Sequence, residues 1–360
     1  MAVDARYLAR PGVGIHRYLV SLLELLDSDG CEVTLLVESA QAHVPALEGR
    51  RCVALHGAGL RWEQWSLPRH LRAGPGYDLL LCPANRGVPL LPHSTRTALV
   101  VHDLIPLVLW RIYLRGRVRF SIDYVLAHGI SLARAGTLMA VSESTACDIR
   151  RFTGRRSTVV HQPSLPVPVP HVVADGPRTV VYNGGDDPRK QVPLLIDAFA
   201  RVRRTHPDLR LQLVGRGYEH YRGELAGRGL LDHVELAGLL SEAEKDTALA
   251  TADVLALPSL YEGFALPVVE AFACGTPVVT GEGGALAEVG GDAVLRVDVT
   301  DPEAVADGIR RALDPVTAAA LAAAGRRRLE ELRALDGPRV LVETLRRAAS
   351  RCAATVPGSV

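Results

Sequence analysis

A proline-rich stretch divides this chain into two halves that follow the same pattern. At its centre, within residues 161–178, the chain reads Gln-Pro-Ser-Leu-Pro-Val-Pro-Val-Pro, which suits neither a regular helix nor a central strand. On each side, short apolar runs alternate with stretches of helical periodicity. Apolar strands separated by helices are typical of a parallel sheet with crossover connections. We therefore predict an α/β fold of two Rossmann-like domains, joined by a linker at the proline-rich stretch.

The same alternation gives the domain bounds. Residues 1–165 form the predicted N-terminal domain, and residues 176–335 form the predicted C-terminal domain. The length of 360 residues and the apolar fraction of 48% also favour two domains over one. Residues 336–360 have the pattern of a helical tail, and the sequence leaves open whether this tail crosses back to the N-terminal domain.

Composition and charge exclude several classes of protein. The formal net charge of +1 gives no basis for nucleic-acid binding, so we expect no nucleic-acid partner. The six cysteines are scattered singly, which indicates neither a zinc site nor a disulfide framework and favours reduced thiols. The N-terminus lacks the pattern of a signal peptide, and no apolar run is long enough to span a bilayer. We therefore expect a cytoplasmic protein.

Lysine is almost absent from this chain. Arginine supplies nearly all of the 41 basic side chains, and the only lysines are Lys190 and Lys245. Because an ammonium group is a compact point charge and a guanidinium is a planar fork, we expect each lysine to stand where arginine would not serve.

The most informative stretch runs from Leu257 to Thr280. It reads Leu-Pro-Ser-Leu-Tyr-Glu-Gly-Phe-Ala-Leu-Pro-Val-Val-Glu-Ala-Phe-Ala-Cys-Gly-Thr-Pro-Val-Val-Thr. The pattern predicts a strand that ends at Leu257, a loop, and a helix that begins near Ala265 with Pro267 in its first turn. A helix N-terminus just beyond the carboxyl end of a strand is suited to bind a diphosphate.

Glu270 lies in that predicted helix among apolar neighbours. A carboxylate is rarely buried without a partner, and a ribose diol would supply two hydroxyl donors. The alternative is a glutamate at the edge of the helix that points to solvent. The residues alone leave both interpretations open.

A second loop carries glycines and two adjacent cations. Residues 181–191 read Val-Tyr-Asn-Gly-Gly-Asp-Asp-Pro-Arg-Lys-Gln and begin in a predicted strand. Gly184 and Gly185 allow the backbone to approach a ligand closely. Arg189 and Lys190 stand at the predicted start of the next helix, where cations are disfavoured unless an anionic ligand binds there. The alternative is a solvated turn with ordinary surface cations.

No metal site is predicted from these motifs. Asp186 and Asp187 lie within the loop itself, where carboxylates can have structural roles, and they do not form a convincing Asp-x-Asp motif. We therefore expect neither a bound metal nor a cofactor.

The stretch from Leu257 to Thr280 also resembles a known family. Glu262 and Glu270 have the spacing of the E-x7-E motif of the retaining, family-four glycosyltransferases (glycosyl transferases group 1), and the residues around them are close to that family's consensus. The resemblance implies the GT-B fold, in which two Rossmann-like domains face each other across a cleft. It also implies that Glu262 contacts the donor hexose and that Glu270 contacts the ribose.

The same resemblance implies that four successive backbone amides face sugar hydroxyls and phosphate, those of Gly263, Phe264, Ala265 and Leu266. Ala265 replaces the glycine that is commoner in the family. Such a replacement is expected to narrow the donor-sugar pocket slightly.

The loop at residues 181–191 resembles the Gly-Gly…Arg-Lys version of a loop in the same family. The family has a second version of this loop, Gly-Arg…Lys, and Gly185 stands where that version has its arginine. The resemblance implies that Arg189 and Lys190 carry the charge of the departing nucleoside diphosphate.

Two features of the N-terminal half resemble the family less specifically. The segment Arg10–Tyr18 resembles a glycine-rich loop before the first helix, which implies that Gly12 and Gly14 lie near the diphosphate and the acceptor. His102 matches a family position whose histidine contacts the donor sugar or stabilises charge near it. The alternative is a histidine with ordinary, satisfied hydrogen bonds at the end of a strand.

The resemblance implies a retaining, metal-independent glycosyltransferase that moves a hexose-type sugar from a nucleotide-diphosphate donor. The acceptor would be a hydroxyl of a glycan, a glycolipid or a small-molecule secondary metabolite. The Gly-Gly…Arg-Lys loop favours GDP-mannose over UDP-sugars as the donor. Two alternatives stay open, namely a non-catalytic GT-B protein that binds a nucleotide sugar or supports a partner, and a GT-B nucleotide-sugar epimerase.

The segment from Arg111 to Phe120 is locally basic with interleaved apolar residues, Arg-Ile-Tyr-Leu-Arg-Gly-Arg-Val-Arg-Phe. One interpretation is a patch that binds the acceptor or lies on a membrane, which would place the protein peripherally at the inner membrane face. The other interpretation is an ordinary helix with a solvated cationic face. The sequence gives no basis for predicting an oligomeric state.

Overall fold

Two parallel β-sheets organise the described part of the chain. The computed structural model describes residues 1–9, 14–41, 47–172 and 175–350. These residues divide into two compact units. Unit 1 comprises residues 1–164 together with the described residues from 336 onward, and unit 2 comprises residues 165–335. The C-terminal segment therefore belongs to the unit that contains the N-terminus.

Unit 1 is built on a seven-stranded sheet. Its strands are β1 (Ala2–Asp4), β2 (Thr34–Glu38), β3 (Cys52–Leu55), β4 (Leu79–Cys82), β5 (Arg96–Val101), β6 (Thr137–Ala140) and β7 (Thr158–Val159). The helices between them are α1 (Gly14–Ser28), α2 (Gly59–Arg61), α3 (Leu67–Ala73), α4 (Ile105–Val108), α5 (Trp110–Tyr113), α6 (Val118–Arg134) and α7 (Glu143–Thr153). The sheet has the order β3-β2-β1-β4-β5-β6-β7, and all neighbouring strands are parallel.

The central strands of unit 1 are apolar and buried, as expected where helices cover both faces of a parallel sheet. All four residues of β4, Leu-Leu-Leu-Cys, are buried. Leu36, Leu80 and Leu99, from three different strands, share a core cluster with Trp62. Such burial on both faces explains why continuous apolar runs, rather than alternating ones, mark these strands in the sequence.

Unit 2 is built on a six-stranded sheet. Its strands are β8 (Thr179–Asn183), β9 (Arg210–Val214), β10 (Val234–Gly238), β11 (Val254–Leu257), β12 (Val278–Thr280) and β13 (Leu295–Arg296). Its helices are α8 (Val192–Val202), α9 (Arg222–Gly227), α10 (Glu242–Thr251), α11 (Leu266–Cys274), α12 (Ala285–Gly290), α13 (Pro302–Ala312) and α14 (Pro315–Ala334). The last described helix, α15 (Gly337–Ser350), belongs to unit 1. No helix among the described residues combines the length and apolarity that crossing a bilayer requires.

Strand order in both sheets reverses at one position. The sheet of unit 2 has the order β10-β9-β8-β11-β12-β13, so its first and fourth strands along the chain, β8 and β11, are neighbours. In unit 1 the corresponding neighbours are β1 and β4. Ligands of open α/β sheets bind beyond the carboxyl ends of the strands at such a reversal. The predicted α/β class with two Rossmann-like sheets is confirmed.

Helix α11 follows β11 at the strand reversal of unit 2, and it is deeply buried. Its residues from Val268 to Cys274 are all buried, and it contacts α10, α12 and α14. Gly325 of α14 faces the ring of Phe272, where a Cβ would lie only 2.7 Å from Cδ1 of that ring. Glycine at this position therefore lets α14 pack closely against α11 and fixes the helix that carries Glu270.

A buried ionic network lies at the strand reversal of unit 1. Arg6 Nη2 donates to Asp4 Oδ2 at 2.7 Å and to Glu63 Oε1 at 2.9 Å. Arg86 Nε donates to the same Oε1 of Glu63 at 2.6 Å. The Arg6 guanidinium carbon lies 4.1 Å from the centre of the Trp62 ring. Sequence patterns did not indicate this network, because its members come from separate segments.

Charges compensate one another within this network. Burial alone would lower the pKa of Arg6, but the charges and hydrogen bonds of Asp4 and Glu63 raise the pKa above its ordinary value. Glu63 is 0% exposed and lies in a π-helical turn, Trp62–Ser66, that joins α2 to α3. A buried carboxylate with two arginine partners is costly to neutralise, because the arginines then keep uncompensated charge.

We expect Glu63→Gln to lower the free energy of unfolding of unit 1 by about 3 kcal/mol, since it leaves buried arginine charge without its partner. Urea denaturation followed by tryptophan fluorescence measures this directly, because Trp62, Trp65 and Trp110 all lie in unit 1. The matched control is Glu24→Gln on the exposed side of α1, which should leave the transition unchanged. Equal midpoints for the two variants would show that the network contributes nothing to stability.

Candidate functional site

The two loops singled out in the sequence emerge at the same edge of the unit 2 sheet. Residues 184–191 follow β8, and residues 258–265 follow β11. Because β8 and β11 are neighbouring parallel strands, both loops begin at the strand reversal. The fold therefore brings together two motifs that are about seventy residues apart in the chain.

Glu262 joins the two loops through its carboxylate. Its Oε1 atom lies 2.7 Å from Arg189 Nη1 and 3.4 Å from Lys190 Nζ. The Ser259 hydroxyl donates to the same oxygen at 2.8 Å. Burial alone would raise the pKa of Glu262, but the positive charges of Lys190 and Arg189 hold the pKa below its ordinary value. Glu262 is therefore an ionised, buried carboxylate that orders both cations.

Arg189 and Lys190 occupy a short 3₁₀ turn, Pro188–Lys190, immediately before α8. The Asp187 carboxylate caps this turn by accepting from the Arg189 backbone N–H at 3.1 Å. Arg189 Nη1 also donates to the Tyr261 carbonyl at 2.9 Å. The side chains of Arg189 and Lys190 are only 16% and 12% exposed. The interpretation of these residues as ordinary solvated cations is therefore wrong.

The glycines of this loop have different roles. A Cβ on Gly184 would lie 2.8 Å from Lys190 Nζ and 2.7 Å from the Tyr182 hydroxyl, so a side chain there would displace the lysine. At Gly185 a Cβ would meet only the Arg216 carbonyl oxygen, at 3.9 Å. Close packing thus requires glycine at position 184, whereas position 185 has room for a side chain.

The loop after β11 ends in a residue with left-handed backbone. Ala265 has φ 64° and ψ 49° and precedes α11, which has Pro267 in its first turn. Gly263 and Phe264 lead into this residue, and Leu266 is the first residue of the helix. A side chain in the left-handed region is strained, which explains physically why glycine is favourable at position 265.

Glu270 is buried, with 4% of its surface exposed, so the alternative of a solvent-facing glutamate is wrong. Its Oε2 accepts from Asn183 Nδ2 at 2.8 Å, and its Oε1 lies 2.9 Å from Lys245 Nζ. Partners within the protein therefore compensate this carboxylate. The contact of Glu270 with a ribose stays a prediction.

Lys245 is the member of this group that the sequence analysis did not include in the site. It lies on α10, next to α11 in space, and its side chain is 12% exposed. The signal that could have found it is the scarcity of lysine. Both lysines of the chain contact a glutamate of the E-x7-E motif, Lys190 with Glu262 and Lys245 with Glu270.

His102 lies just after β5 in unit 1. Its Nε2 is 2.7 Å from the Pro83 carbonyl oxygen, so Nε2 carries the proton, and its backbone N–H donates to Asn85 Oδ1. Its ring meets the Tyr18 ring edge to face, with centroids 4.6 Å apart. Burial lowers the pKa of His102 to about 4, against the opposing effect of the Pro83 hydrogen bond, so the ring is neutral. These contacts fit the alternative of a satisfied histidine, and a contact with donor sugar stays a prediction.

The remaining predicted glycines lie at the start of unit 1. Gly12 is outside the described residues. Gly14 is the first residue of α1, and nothing lies within 4 Å of where its Cβ would stand. Packing within the described part of unit 1 therefore gives no reason for glycine at position 14.

The two aspartates of the loop after β8 have structural contacts. Asp186 Oδ1 accepts from the Tyr221 hydroxyl at 3.0 Å, and Asp187 caps the turn that carries Arg189. Across the described ranges, no group of three or more His, Cys, Asp or Glu side chains is placed to hold a metal ion.

We expect Ala265→Gly to raise the free energy of unfolding by about 1 kcal/mol, because it relieves the strain of a side chain in left-handed backbone. Differential scanning calorimetry measures this for unit 2, which contains no tryptophan. The matched control is Ala320→Gly on the exposed side of α14, which should lose about 1 kcal/mol because its backbone is helical. A loss of stability at both positions would contradict the strain at residue 265.

Comparison with known proteins agrees with this geometry. Residues 168–328 match the sequence model of the family Glycosyl transferases group 1. The MMP alpha-(1->4)-mannosyltransferase of Mycolicibacterium hassiacum is 38% identical over 161 residues, which cover 43% of this chain and 39% of that protein. The phosphatidyl-myo-inositol mannosyltransferase of Mycobacterium leprae is 37% identical over 136 residues, which cover 37% and 36%. The matched stretch thus spans less than half the length of these relatives.

Solved structures resemble the whole chain at lower identity. Sucrose-phosphate synthase from Thermosynechococcus elongatus has a TM-score of 0.73 at 22% identity, over 96% of this chain and 98% of that one. HepE from Anabaena, solved in complex with UDP and glucose, has a TM-score of 0.74 at 17% identity over the same shares. Identity this low shows the fold alone, which is the GT-B fold of two Rossmann-like domains. The match to the family Glycosyl transferases group 1 thus lies within unit 2, and the fold of the chain is that of GT-B glycosyltransferases.

Proposed function

We propose that this protein is a retaining glycosyltransferase that moves a hexose from a nucleotide-diphosphate donor to an acceptor hydroxyl without a metal ion. The observation that carries the proposal is the Glu262 carboxylate, which holds Arg189 and Lys190 together at the strand reversal of unit 2. The match of residues 168–328 to the model of the family Glycosyl transferases group 1 supports the same reaction class.

The chemistry that this arrangement supports is stabilisation of a leaving group. When the nucleoside diphosphate departs from the anomeric carbon, negative charge builds on its β-phosphate. Fixed cations act strongly on such charge, since they need no reorganisation during the reaction and are partly shielded from water. Arg189 and Lys190 supply two positive charges here, and the carboxylates of Glu262 and Asp187 lie within 3.7 Å of them. The N-terminus of α11 adds backbone N–H groups and a favourable dipole.

Metal independence is supported by what the loop carboxylates do. Asp186 is hydrogen-bonded to Tyr221, and Asp187 holds the turn of Arg189 and Lys190. Both carboxylates have contacts within unit 2, and in this proposal Arg189 and Lys190 supply the positive charge that a metal ion would otherwise supply to a diphosphate.

The donor that we propose is GDP-mannose, with UDP-sugars as the alternative. The Gly-Gly…Arg-Lys form of the loop favours GDP-mannose, and two relatives are named mannosyltransferases. HepE, which has a similar fold, was solved with UDP and with UDP-glucose. The acceptor would be a hydroxyl of a glycan, a glycolipid or a small molecule.

Calorimetric titration with GDP and UDP, with and without EDTA, tests the proposal. We expect one nucleotide to bind, EDTA to have no effect, and Lys190→Ala to weaken binding by about tenfold or more through the lost charged contact. The matched control is Arg204→Ala, an exposed cation of unit 2 outside the site, which should bind like the wild type. Absence of binding, or binding that requires a divalent metal, would refute the assignment of Arg189 and Lys190.

A product assay separates the enzyme from its alternatives. With an α-linked donor and an alcohol acceptor, proton NMR should show an α-linked product, as retention requires. An inverted product would refute the retaining mechanism. Stoichiometric binding without turnover would favour the non-catalytic protein, and interconversion of the free nucleotide sugar would favour the epimerase.

We also propose that unit 1 contacts an anionic membrane surface through α5, α6 and the residues between them. Ile122, Val125 and Leu126 share one face of α6 and are each about half exposed, as is Trp110 of α5. Residues 110–126 contain four arginines and a single acidic residue, Asp123. Exposed apolar side chains beside arginines suit the boundary between anionic headgroups and acyl chains. We call this set the basic–apolar surface, consisting of Trp110, Arg111, Arg115, Arg117, Ile122, Val125 and Leu126.

Vesicle sedimentation tests this contact. We expect binding to vesicles that contain phosphatidylglycerol, no binding to pure phosphatidylcholine vesicles, and about tenfold weaker binding for Val125→Ser/Leu126→Ser through lost apolar burial. The control is Leu335→Ser, which changes an exposed leucine of unit 2. Equal sedimentation of the wild type and the double variant would favour the ordinary solvated helix.

A further inference from the structure

Lys245 lies on α10 of unit 2 and bridges two carboxylates. Its Nζ atom lies 2.9 Å from Glu270 Oε1 and 2.7 Å from Glu242 Oε2. The start of α10 is fixed by a capping box, in which Ser241 and Glu244 satisfy each other's backbone N–H groups. Lys245 follows directly, so its position relative to α11 is set by that helix start.

Glu270 is held from two sides. Lys245 on α10 contacts one carboxylate oxygen, and Asn183 at the end of β8 donates to the other at 2.8 Å. The side chain of Glu270 is only 5% exposed. Two fixed donors on opposite oxygens determine the plane of the carboxylate, and Asn183 ties it to the strand reversal where ligands of this fold bind.

The charge of Lys245 compensates the burial of Glu270. Removing a carboxylate from water among apolar neighbours such as Val269 and Ala271 is unfavourable, and a cation at contact distance offsets that cost. The Lys245 ammonium group is a compact point charge with three donors, and it faces the carboxylates of Glu270 and Glu242 at once. Lys245 is one of only two lysines in a chain that otherwise uses arginine.

We propose that Lys245 is a positioning residue of the nucleoside subsite, which fixes the Glu270 carboxylate so that it can accept hydrogen bonds from the ribose diol of the donor. The inference rests on the proposed function, because it assumes that a nucleoside diphosphate binds at the strand reversal. A carboxylate can accept about four hydrogen bonds, so contacts with Lys245 and Asn183 are compatible with a diol. Lys245 acts on the nucleotide through Glu270 and not by direct contact.

Calorimetry with a ribonucleotide and its 2′-deoxy counterpart tests the inference on the full-length protein. The probe is GDP with 2′-deoxy-GDP, or the uridine pair if UDP is the nucleotide that binds. We expect the wild type to bind the 2′-deoxy form about tenfold more weakly, since one hydrogen bond to a charged group is lost. In Lys245→Met, the ribonucleotide should bind about tenfold more weakly and the preference for ribose should largely disappear.

Two further variants separate positioning from folding. Glu242→Gln removes the other partner of Lys245 without touching Glu270, and it should keep both affinity and ribose preference. Lys245→Gln keeps a hydrogen-bond donor beside Glu270 without the charge, and it should retain part of the ribose preference. If thermal unfolding shows that Lys245→Met does not fold, the comparison of Lys245→Gln with Glu242→Gln carries the test.

The possible failures are distinguishable. If the wild type binds no nucleotide, the proposed function and this inference both fail. If the wild type prefers the ribonucleotide and the Lys245 variants keep the same preference, only the role of Lys245 is refuted. Equal weakening of both nucleotides would show a purely structural role, and tighter binding by Lys245→Met would show that Lys245 competes with the ribose.

Discussion

Compensation of buried carboxylates is the constraint on which the candidate site depends. Both glutamates of the E-x7-E motif are buried, and each contacts one of the only two lysines in the chain. An unpaired buried charge is strongly unfavourable, so the elements that carry these partners must stay together. The Glu262 contacts hold the loop after β8 against the loop after β11, and the Glu270 contacts hold α10 and β8 against α11. The charges that suit a diphosphate ligand are thus also the charges that hold the loops of the site together.

In unit 1, arginine side chains compensate the buried carboxylates of Asp4 and Glu63. Arg6 and Arg86 share the Glu63 carboxylate, and Arg6 also pairs with Asp4 while its guanidinium stacks over Trp62. In unit 2, Arg189 and Lys190 share the Glu262 carboxylate, and Lys245 faces both Glu270 and Glu242. Both units therefore place cations against buried carboxylates, and the two lysines of the chain lie in unit 2. In unit 1 the network is closed by its own members, and in unit 2 the cations lie where an anionic ligand would meet them.

The two units contribute differently to the proposed reaction. The family match covers residues 168–328 and so lies in unit 2, which holds the residues proposed to act on the donor. Unit 1 resembles glycosyltransferases in fold, and it carries the basic–apolar surface and the neutral His102. The residues proposed to bind the donor thus lie in the unit that matches the family model, and the surface proposed to contact a membrane lies in the other unit.

Local patterns in the sequence are enough to predict most strands and helices, whereas the pairing of the charged side chains depends on the folded arrangement. Hydrophobic periodicity and proline placement are local, so they predicted the α/β class, the parallel strands, and the strand, loop and helix around Glu262 and Glu270. Short or peripheral elements such as β3 and the helical turns α2 and α3 escaped prediction, since their apolar patterns are too brief. Contacts such as Arg6 with Glu63, or Lys245 with Glu270, join residues 57 and 25 positions apart and leave no periodic signal. Which charge a buried carboxylate meets depends on strand order and helix packing, and these exist only once the chain has folded.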